Sequence, residues 1–444
     1  MALLNKLLAG YSITDEIIYR TGSTSLPLAH DTILYPASNI SITTGRGSTG
    51  TVLVLTTDYT FSDEDTRLTA SAGSAVYTKL AIVNGTYQNM TLYVNYKTVG
   101  DYAKTEDLNR NFTFRNKLIN GGLDIWQRGT SLAIATAGNA YLSDRWNNSI
   151  VGTSSSTTYS RQSFTPGQTD VSGNPKYYMR HAITSGGDST NGRNAVIQFI
   201  EGVETFAGET CVVSFYAKAD AAKNISVEII QNYGTGGSAT TFMTPVKFAI
   251  TTTWTKYSIP IAVASIAGKT VGSASDYLGL LIWMSAGSAN NARTNTLGIQ
   301  TGTFDFARLQ IEKGSVPTEF EVRPFQVEEG LCLRYYEKSF LPSVAPAQNA
   351  GTGGTHIYRQ FVSGAANIGQ TIGYRVSKRT AATPTLYNPS AANAEARNID
   401  AGADDTSTSA YNLSNNGFAI VSVSSAGSLI SQQHAIQWDV SSEY

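Results

Sequence analysis

Charge is scarce in this chain. Only 15% of its 444 residues are Asp, Glu, Lys or Arg, against roughly 25% in an average globular domain. The 32 basic and 33 acidic side chains leave a net charge of −1, with no Lys/Arg cluster anywhere. Neutralising a phosphate backbone needs a concentrated positive face, so nucleic acid is excluded as a partner. Cysteine is nearly missing: Cys211 and Cys332 stand far apart in segments of different character, which is no disulfide framework. Both read as buried, reduced thiols. Long apolar runs are missing too. Met1–Gly10 is apolar, but Asn5 and Lys6 interrupt it well short of a signal-peptide core or a membrane span. Leu3, Leu4, Leu7 and Leu8 form one helical stripe instead. The expectation is a protein made in a cytoplasm, with no membrane insertion, that reaches any extracellular role by a route other than secretion.

What is present is glycine (40 residues), tyrosine (24) and abundant Ser and Thr, the composition of a turn-rich β protein with an uncharged surface. At roughly 150 residues per domain the length allows about three domains. Residues 1–111 read as an N-terminal β-domain, with Leu80–Val83 and Met90–Tyr96 as strands around the turn pair Asn84-Gly85. Asp101–Arg115 is polar and reads as a short helix or linker. Residues 112–325 hold alternating strands spaced as in a sandwich. Cys211, Val213, Phe215 and Ala217 share one face; Ile225, Val227 and Ile229 share another. Pro260 marks Tyr257–Val263 as an edge strand, because proline cannot donate to a ladder. Leu278–Met284 is apolar on both faces and reads as central. Val327–Phe340 carries helical spacing and connects to a C-terminal β-domain ending at Tyr444, with strands at Tyr374–Val376 and Phe418–Val423.

Catalytic signatures are missing. Gly45-Arg46-Gly47-Ser48-Thr49-Gly50 matches G-x-G-x-x-G, but a strand follows where dinucleotide binding needs a helix, so a hairpin loop is expected. No Walker loop, H-E-x-x-H or G-x-S-x-G occurs. His30, His181, His356 and His434 are single, without a second ligand at metal spacing, and structural or surface roles are expected. Glu201, Glu204 and Glu209 form the nearest carboxylate cluster; on a strand, Glu201 and Glu204 point to opposite faces and cannot act as a glycosidase pair. The chain is expected to bind rather than catalyse. Tyr233 and Trp254, and towards the C terminus Tyr387 and Tyr411, sit in polar loop contexts suited to recognition.

Asn120-Gly121-Gly122-Leu123-Asp124-Ile125-Trp126-Gln127-Arg128-Gly129-Thr130, followed by Tyr141–Trp146, resembles the opening of a jelly-roll domain that recurs in bacteriophage tail proteins. Phe304–Gly314, Thr318–Pro324 and Leu331–Lys338 resemble its close. The segment is also similar to β-jelly-roll carbohydrate-binding modules. That resemblance implies a structural Ca²⁺ at Asn120, Asp124 and Asp305, although Asp305 lacks the second acidic residue often beside it; oxygen ligands would suit the ion. A turn at Asn120 and a hydrogen bond accepted by Asp124 from the backbone are the alternative. Trp126, Arg128, Arg145 and Trp146 are open to two readings, a sugar platform or core packing, and core packing is favoured.

Taken together, the resemblance implies a mainly β protein with an N-terminal virion-attachment domain, a central jelly roll, a short connecting helix and a C-terminal tip. It implies a homotrimeric tail-fibre or receptor-binding protein on the virion, held by other virion proteins through its N-terminal domain. Its implied ligand is a host surface polysaccharide or lipopolysaccharide. A structural fibre or decoration protein of the head, neck or baseplate is the alternative. A polysaccharide-degrading tailspike comes third, because the short regular repeats of a parallel β-helix are missing.

Overall fold

The computed structural model describes residues 114–135, 138–424 and 429–444, and before residue 114 the backbone of eight strands. The chain divides into two compact units, Met1–Thr113 and Phe114–Tyr444.

In the first unit, β1 (Ser12–Ile18), β4 (Ile40–Gly45), β5 (Thr49–Val52) and β8 (Leu92–Lys97) form a sheet of order β1-β8-β4-β5. A second sheet holds β2 (Ser25–Pro27), β7 (Val76–Ile82) and β3 (Ile33–Leu34), with β6 (Tyr59–Glu64) also on β7. β4 and β5 pair antiparallel across the glycine-rich string, which is the hairpin expected of it. The Asn84-Gly85 hairpin is corrected: β7 and β8, the strands flanking that turn, lie in different sheets. The Leu3–Leu8 stripe, His30 and the Asp101–Thr113 stretch lie outside the described residues.

The second unit opens with a β-sandwich. One layer has seven strands: β10 (Gly138–Tyr141), β11 (Asn147–Val151), β14 (Arg193–Glu201), β20 (Tyr277–Ala286), β16 (Lys223–Asn232) and β17 (Thr241–Phe242) in that order, with β18 (Val246–Ile250) also on β16. The other has six: β19 (Thr255–Ala262), β15 (Thr210–Ala219), β21 (Gly302–Lys313), β13 (Tyr177–Ser185), β12 (Ser156–Ser163) and β9 (Ser131–Ile134). All pairings are antiparallel. Pro260 does lie on an edge strand, β19, and Leu278–Met284 does lie centrally, in β20. Between the layers Cys211, Val213, Phe215 and Ala217 of β15 meet Ile225, Val227 and Ile229 of β16, with Trp146 and Trp126 closing one end. Trp146 is fully buried and Trp126 is 6% exposed, so both are core residues. Each indole N–H finds a carbonyl, at Asn120 and Leu123 respectively, as a buried tryptophan requires.

The two outer faces of the sandwich differ. On the seven-stranded side Trp283, Leu281 and Ile230 pack under Leu297, and the buried Glu228 carboxylate takes both arms of Arg293 at 2.9 and 2.8 Å. The six-stranded side carries polar and aromatic side chains instead. Within it, β21 contains a bulge: Ser214 pairs with Gln310 but Tyr216 with Ala307, so β21 spends three steps where β15 spends two. Arg308, at φ 53°, takes up the extra residue. As a result Phe304 and Phe306 face the core before the bulge, and Leu309 and Ile311 after it.

The helix Phe325–Leu333 follows. The helical reading to Phe340 is corrected: Tyr336–Lys338 forms β22, pairing with Asp439–Ser441. This C-terminal module holds β22 (Tyr336–Lys338), β23 (His356–Arg359), β25 (Thr385–Tyr387) and β26 (Arg397–Asn398), all on β30 (Gln433–Ser441), with β27 (Ala403–Asp404) on β26. A three-stranded sheet of β24 (Asn367–Gly373), β29 (Gly417–Val423) and β28 (Thr406–Tyr411) completes it. The strand expected at Tyr374–Val376 instead ends at Gly373. Phe418, Ile420, Ile436 and Trp438 form the module's core.

The module packs on the sandwich through paired charges. Arg334 grips Glu201 at 2.7 and 2.8 Å, Arg145 pairs with Glu443 and lies 3.3 Å over the Tyr335 ring, and Lys338 donates to the Gln127 carbonyl at 2.7 Å. No helix among the described residues is long and apolar enough to cross a membrane.

Candidate functional site

In a sheet whose inner side chains fill the core, alternate residues must face outward. On the six-stranded layer these are Tyr178 and Arg180 of β13, Asp305 of β21, and Tyr216 and Lys218 of β15. Asp305 lies directly between Arg180 and Lys218 in the cross-strand register. Arg180 donates Nε to Oδ1 and Nη2 to Oδ2, both at 2.8 Å, and Lys218 Nζ stands 3.9 Å from Oδ2. The bidentate contact raises the Arg180 pKa and fixes the orientation of its guanidinium.

Trp254, in the turn before β19, folds over this row. Its ring centroid is 5.1 Å from Tyr178, edge to face, and 5.3 Å from Phe164, and those two rings are 4.8 Å apart. Lys218 Nζ is 5.1 Å from the Trp254 centroid, and Arg180 Cζ is 5.7 Å from that of Tyr178. All three rings are partly exposed. The arrangement offers apolar ring faces beside a fixed guanidinium, an ammonium and a carboxylate, which suits a flat polyhydroxylated ligand.

The sequence-derived candidates are distributed as follows. Trp254 and Asp305 come together on this face. Asn120 and Asp124 do not join Asp305 there. The Asn120 amide caps its own turn, accepting from the Ile125 N–H at 3.1 Å and donating to the Ile125 and Asp144 carbonyls. Gly121, next to it, accepts from the Leu309 N–H, four residues along β21 from Asp305, or about 13 Å at the usual strand rise. The backbones approach so closely that a Cβ on Gly121 would stand 2.1 Å from the Leu309 carbonyl oxygen, so only glycine fits. Asp124 is exposed and is flanked by the positive charges of Arg308 and Lys176. Among the described residues no three His, Cys, Asp or Glu side chains gather as a metal site.

Tyr233 is corrected from loop anchor to core: it is 1% exposed, and its hydroxyl meets Thr241 Oγ1 at 3.1 Å. Its loop is polar, but the ring turns inward. Tyr387 is half-buried, edge-on to Phe340, with its hydroxyl on Asp439. Tyr411 is exposed. Sequence reasoning missed Tyr178 and Arg180; their alternation with the buried Met179 and His181 was the available signal.

Other titratable groups among the described residues are held by neighbours, although the Nε2 atoms of His181 and His356 are buried without a hydrogen-bond partner. His181 is buried and stacked 4.7 Å from Tyr159. His434 is buried with Nδ1 2.8 Å from Asp405 Oδ2, and Ser422 donates to that same oxygen, so the serine hydroxyl is bonded to the carboxylate and not to the imidazole. Glu201 is held by Arg334 and Tyr335. In the cleft of about 700 Å³ between the sandwich and the C-terminal module, Glu337 is bound by Arg375 and Lys378.

No family model matches the chain, and no curated protein matches it. Similar solved structures include a family 11 carbohydrate-binding module from Clostridium thermocellum in complex with a beta-1,3-1,4-mixed-linked tetrasaccharide, at 10% identity over 43% of this chain and 99% of that one, TM-score 0.24. The xylan-binding domain from Paenibacillus barcinonensis is 13% identical over 43% and 99%, TM-score 0.24. The enzymatically active domain of tailspike protein 4 from bacteriophage CBA120 is 11% identical over 45% of this chain and 22% of that one, TM-score 0.25.

Proposed function

We propose that this chain is a non-enzymatic glycan-binding protein that seats a saccharide on the outer face of its six-stranded sheet. The observation that carries this reading is the Phe164, Tyr178 and Trp254 cluster set directly over the Arg180, Asp305 and Lys218 row. Rings of this kind stack on the apolar face of a pyranose while the fixed charged groups bond its hydroxyls. Two of the carboxylates considered for hydrolysis, Glu201 and Glu337, are committed to cations.

In the finer reading, supported by the resemblance of Asn120–Thr130 and its partner segments, the protein is a bacteriophage tail-fibre or receptor-binding protein. It works as a homotrimer on the virion, held through residues 1–111, and binds host surface polysaccharide or lipopolysaccharide. Weak single-site binding then becomes firm attachment because several copies engage at once.

The test is binding of the full chain and of Trp254→Ala to purified host polysaccharides. Loss of binding at unchanged melting temperature supports the reading. Equal binding by the two proteins moves the site off this face. No binding to any polysaccharide favours a structural fibre or decoration protein, and release of reducing ends favours a tailspike.

A further inference from the structure

The bulge in β21 has a beneficiary, Arg308. Its backbone is left-handed at φ 53°, a conformation most side chains adopt only under constraint. The side chain is 8% exposed, with its Cζ 4.6 Å over the Phe320 ring. Nη2 donates to the Gly173 carbonyl at 2.6 Å. Nε is buried with no hydrogen-bond partner.

Buried cations are rarely left this way. Arg128, Arg145 and Arg323 each pair with a carboxylate, whereas Arg193 shares the orphan Nε and finds only the Ser149 hydroxyl. Among the described residues Arg308 has no such ion pair, only the nearby charge of Asp124. In front of it lies a pocket of about 400 Å³ that also takes in Lys176 and Asp124. Glu321 and Glu328 on its wall share the single cation Arg323. With the exposed Asp124 the lining carries three cations and three carboxylates, so the feature that marks the pocket is the missing ion pair of Arg308 rather than an excess of positive charge.

The pocket belongs to the same sheet surface as the aromatic cluster. Arg308 is three residues from Asp305 along β21, about 10 Å at the usual strand rise. Tyr216, which pairs with Ala307, reaches Ser172 on the pocket-side loop at 3.1 Å.

We propose that Arg308, with Lys176 beside it, anchors an oxyanion carried by the glycan, either the carboxylate of an acidic sugar or a phosphate substituent. This rests on reading the outer sheet face as the glycan site. A planar anion supplies the acceptors that the guanidinium lacks.

The experiment titrates the full chain with a glucuronate-containing tetrasaccharide, its carboxyl-reduced neutral counterpart and a phosphate-bearing counterpart. Wild type should bind an anionic form about tenfold or more tightly than the neutral one, the gain expected of one charge-assisted contact. Arg308→Gln should erase that preference and leave the neutral affinity unchanged, while Trp254→Ala weakens every form alike. The anion that shows the Arg308-dependent gain identifies the source. If Arg308→Gln melts early, Arg308→Lys, which keeps the charge without the fork, should show an intermediate preference. Equal wild-type affinity for neutral and anionic forms overturns the role of Arg308 and leaves the glycan site standing. No binding of any form overturns both.

Discussion

Arg180 holds Asp305 with two parallel bonds of 2.8 Å, yet the two residues are not equally sheltered. Asp305 is 2% exposed and the Arg180 side chain 33%. Removing one partner therefore differs from removing the other. Arg180→Ala strands a buried carboxylate with only Lys218 at 3.9 Å, for a cost of about 2–4 kcal/mol. Asp305→Ala leaves a cation that water can reach, for about 1–2 kcal/mol. Urea unfolding should rank them in that order, and the reverse order would mean that Lys218 is the true partner.

Trp146→Ala and Trp254→Ala should separate stability from binding. Trp146 is fully buried with its N–H on the Asn120 carbonyl, so its truncation costs about 3–5 kcal/mol. Trp254 is partly exposed in a turn. Its loss should leave the melting temperature within a few degrees of wild type and weaken glycan binding about tenfold or more, in the manner of an exposed aromatic anchor.

His181 predicts an acid-sensitive component of stability. Burial pulls its imidazole pKa down to about 3. The unfolded chain takes up a proton near pH 6.5 that the folded chain refuses, so this contribution is complete above that pH and is lost as pH falls towards 3. Asp144 acts in the opposite sense, because burial lifts its carboxyl to about 6 and its contribution shrinks as pH rises from about 4 to 6. Comparing wild type with His181→Phe isolates the histidine. The difference in stability should change between pH 7 and 4, and a constant difference would show that the ring accepts a proton in the folded state.

Cys211 and Cys332 are buried and free, and burial pushes the Cys211 thiol up to about 12. A thiol reagent at pH 8 should label neither in the native protein and both in denaturant. Fast native labelling would place one of them at an opening surface.

Residues 114–444 should fold without the first unit. Residues 326–444 alone should not, because Arg334, Lys338 and Glu443 lose Glu201, the Gln127 carbonyl and Arg145. Circular dichroism melts of the two fragments decide this.

Local chemistry made the sandwich readable. The alternation of Cys211 to Lys218, the proline of β19 and the doubly apolar β20 each carry a signal within a few residues. Tyr336–Lys338 carried a misleading one: its apolar spacing continues a helix, and only its pairing with Asp439–Ser441, a hundred residues away, makes it a strand. Tyr233 failed for a related reason, since a loop's polarity says nothing about which way one ring turns. The aromatic face was half legible. Trp254 stood out as a loop aromatic, but the cross-strand row of Arg180, Asp305 and Lys218 exists only once three distant segments lie side by side.

The extra residue at Arg308 acts as a phase shift in the reading of β21. Excising Ala307 would remove that shift and set Phe304, Phe306, Leu309 and Ile311 in one uninterrupted two-residue rhythm on the core face. A one-residue deletion within either flank, at Asp305 or at Gln310, would instead turn Phe304 or Ile311 away from the core. A one-residue deletion at Asp305 or Gln310 should therefore be far more damaging than excision of Ala307, whereas a deletion in the open turn at Gly167, where nothing stands within 4 Å of an added Cβ, should be tolerated.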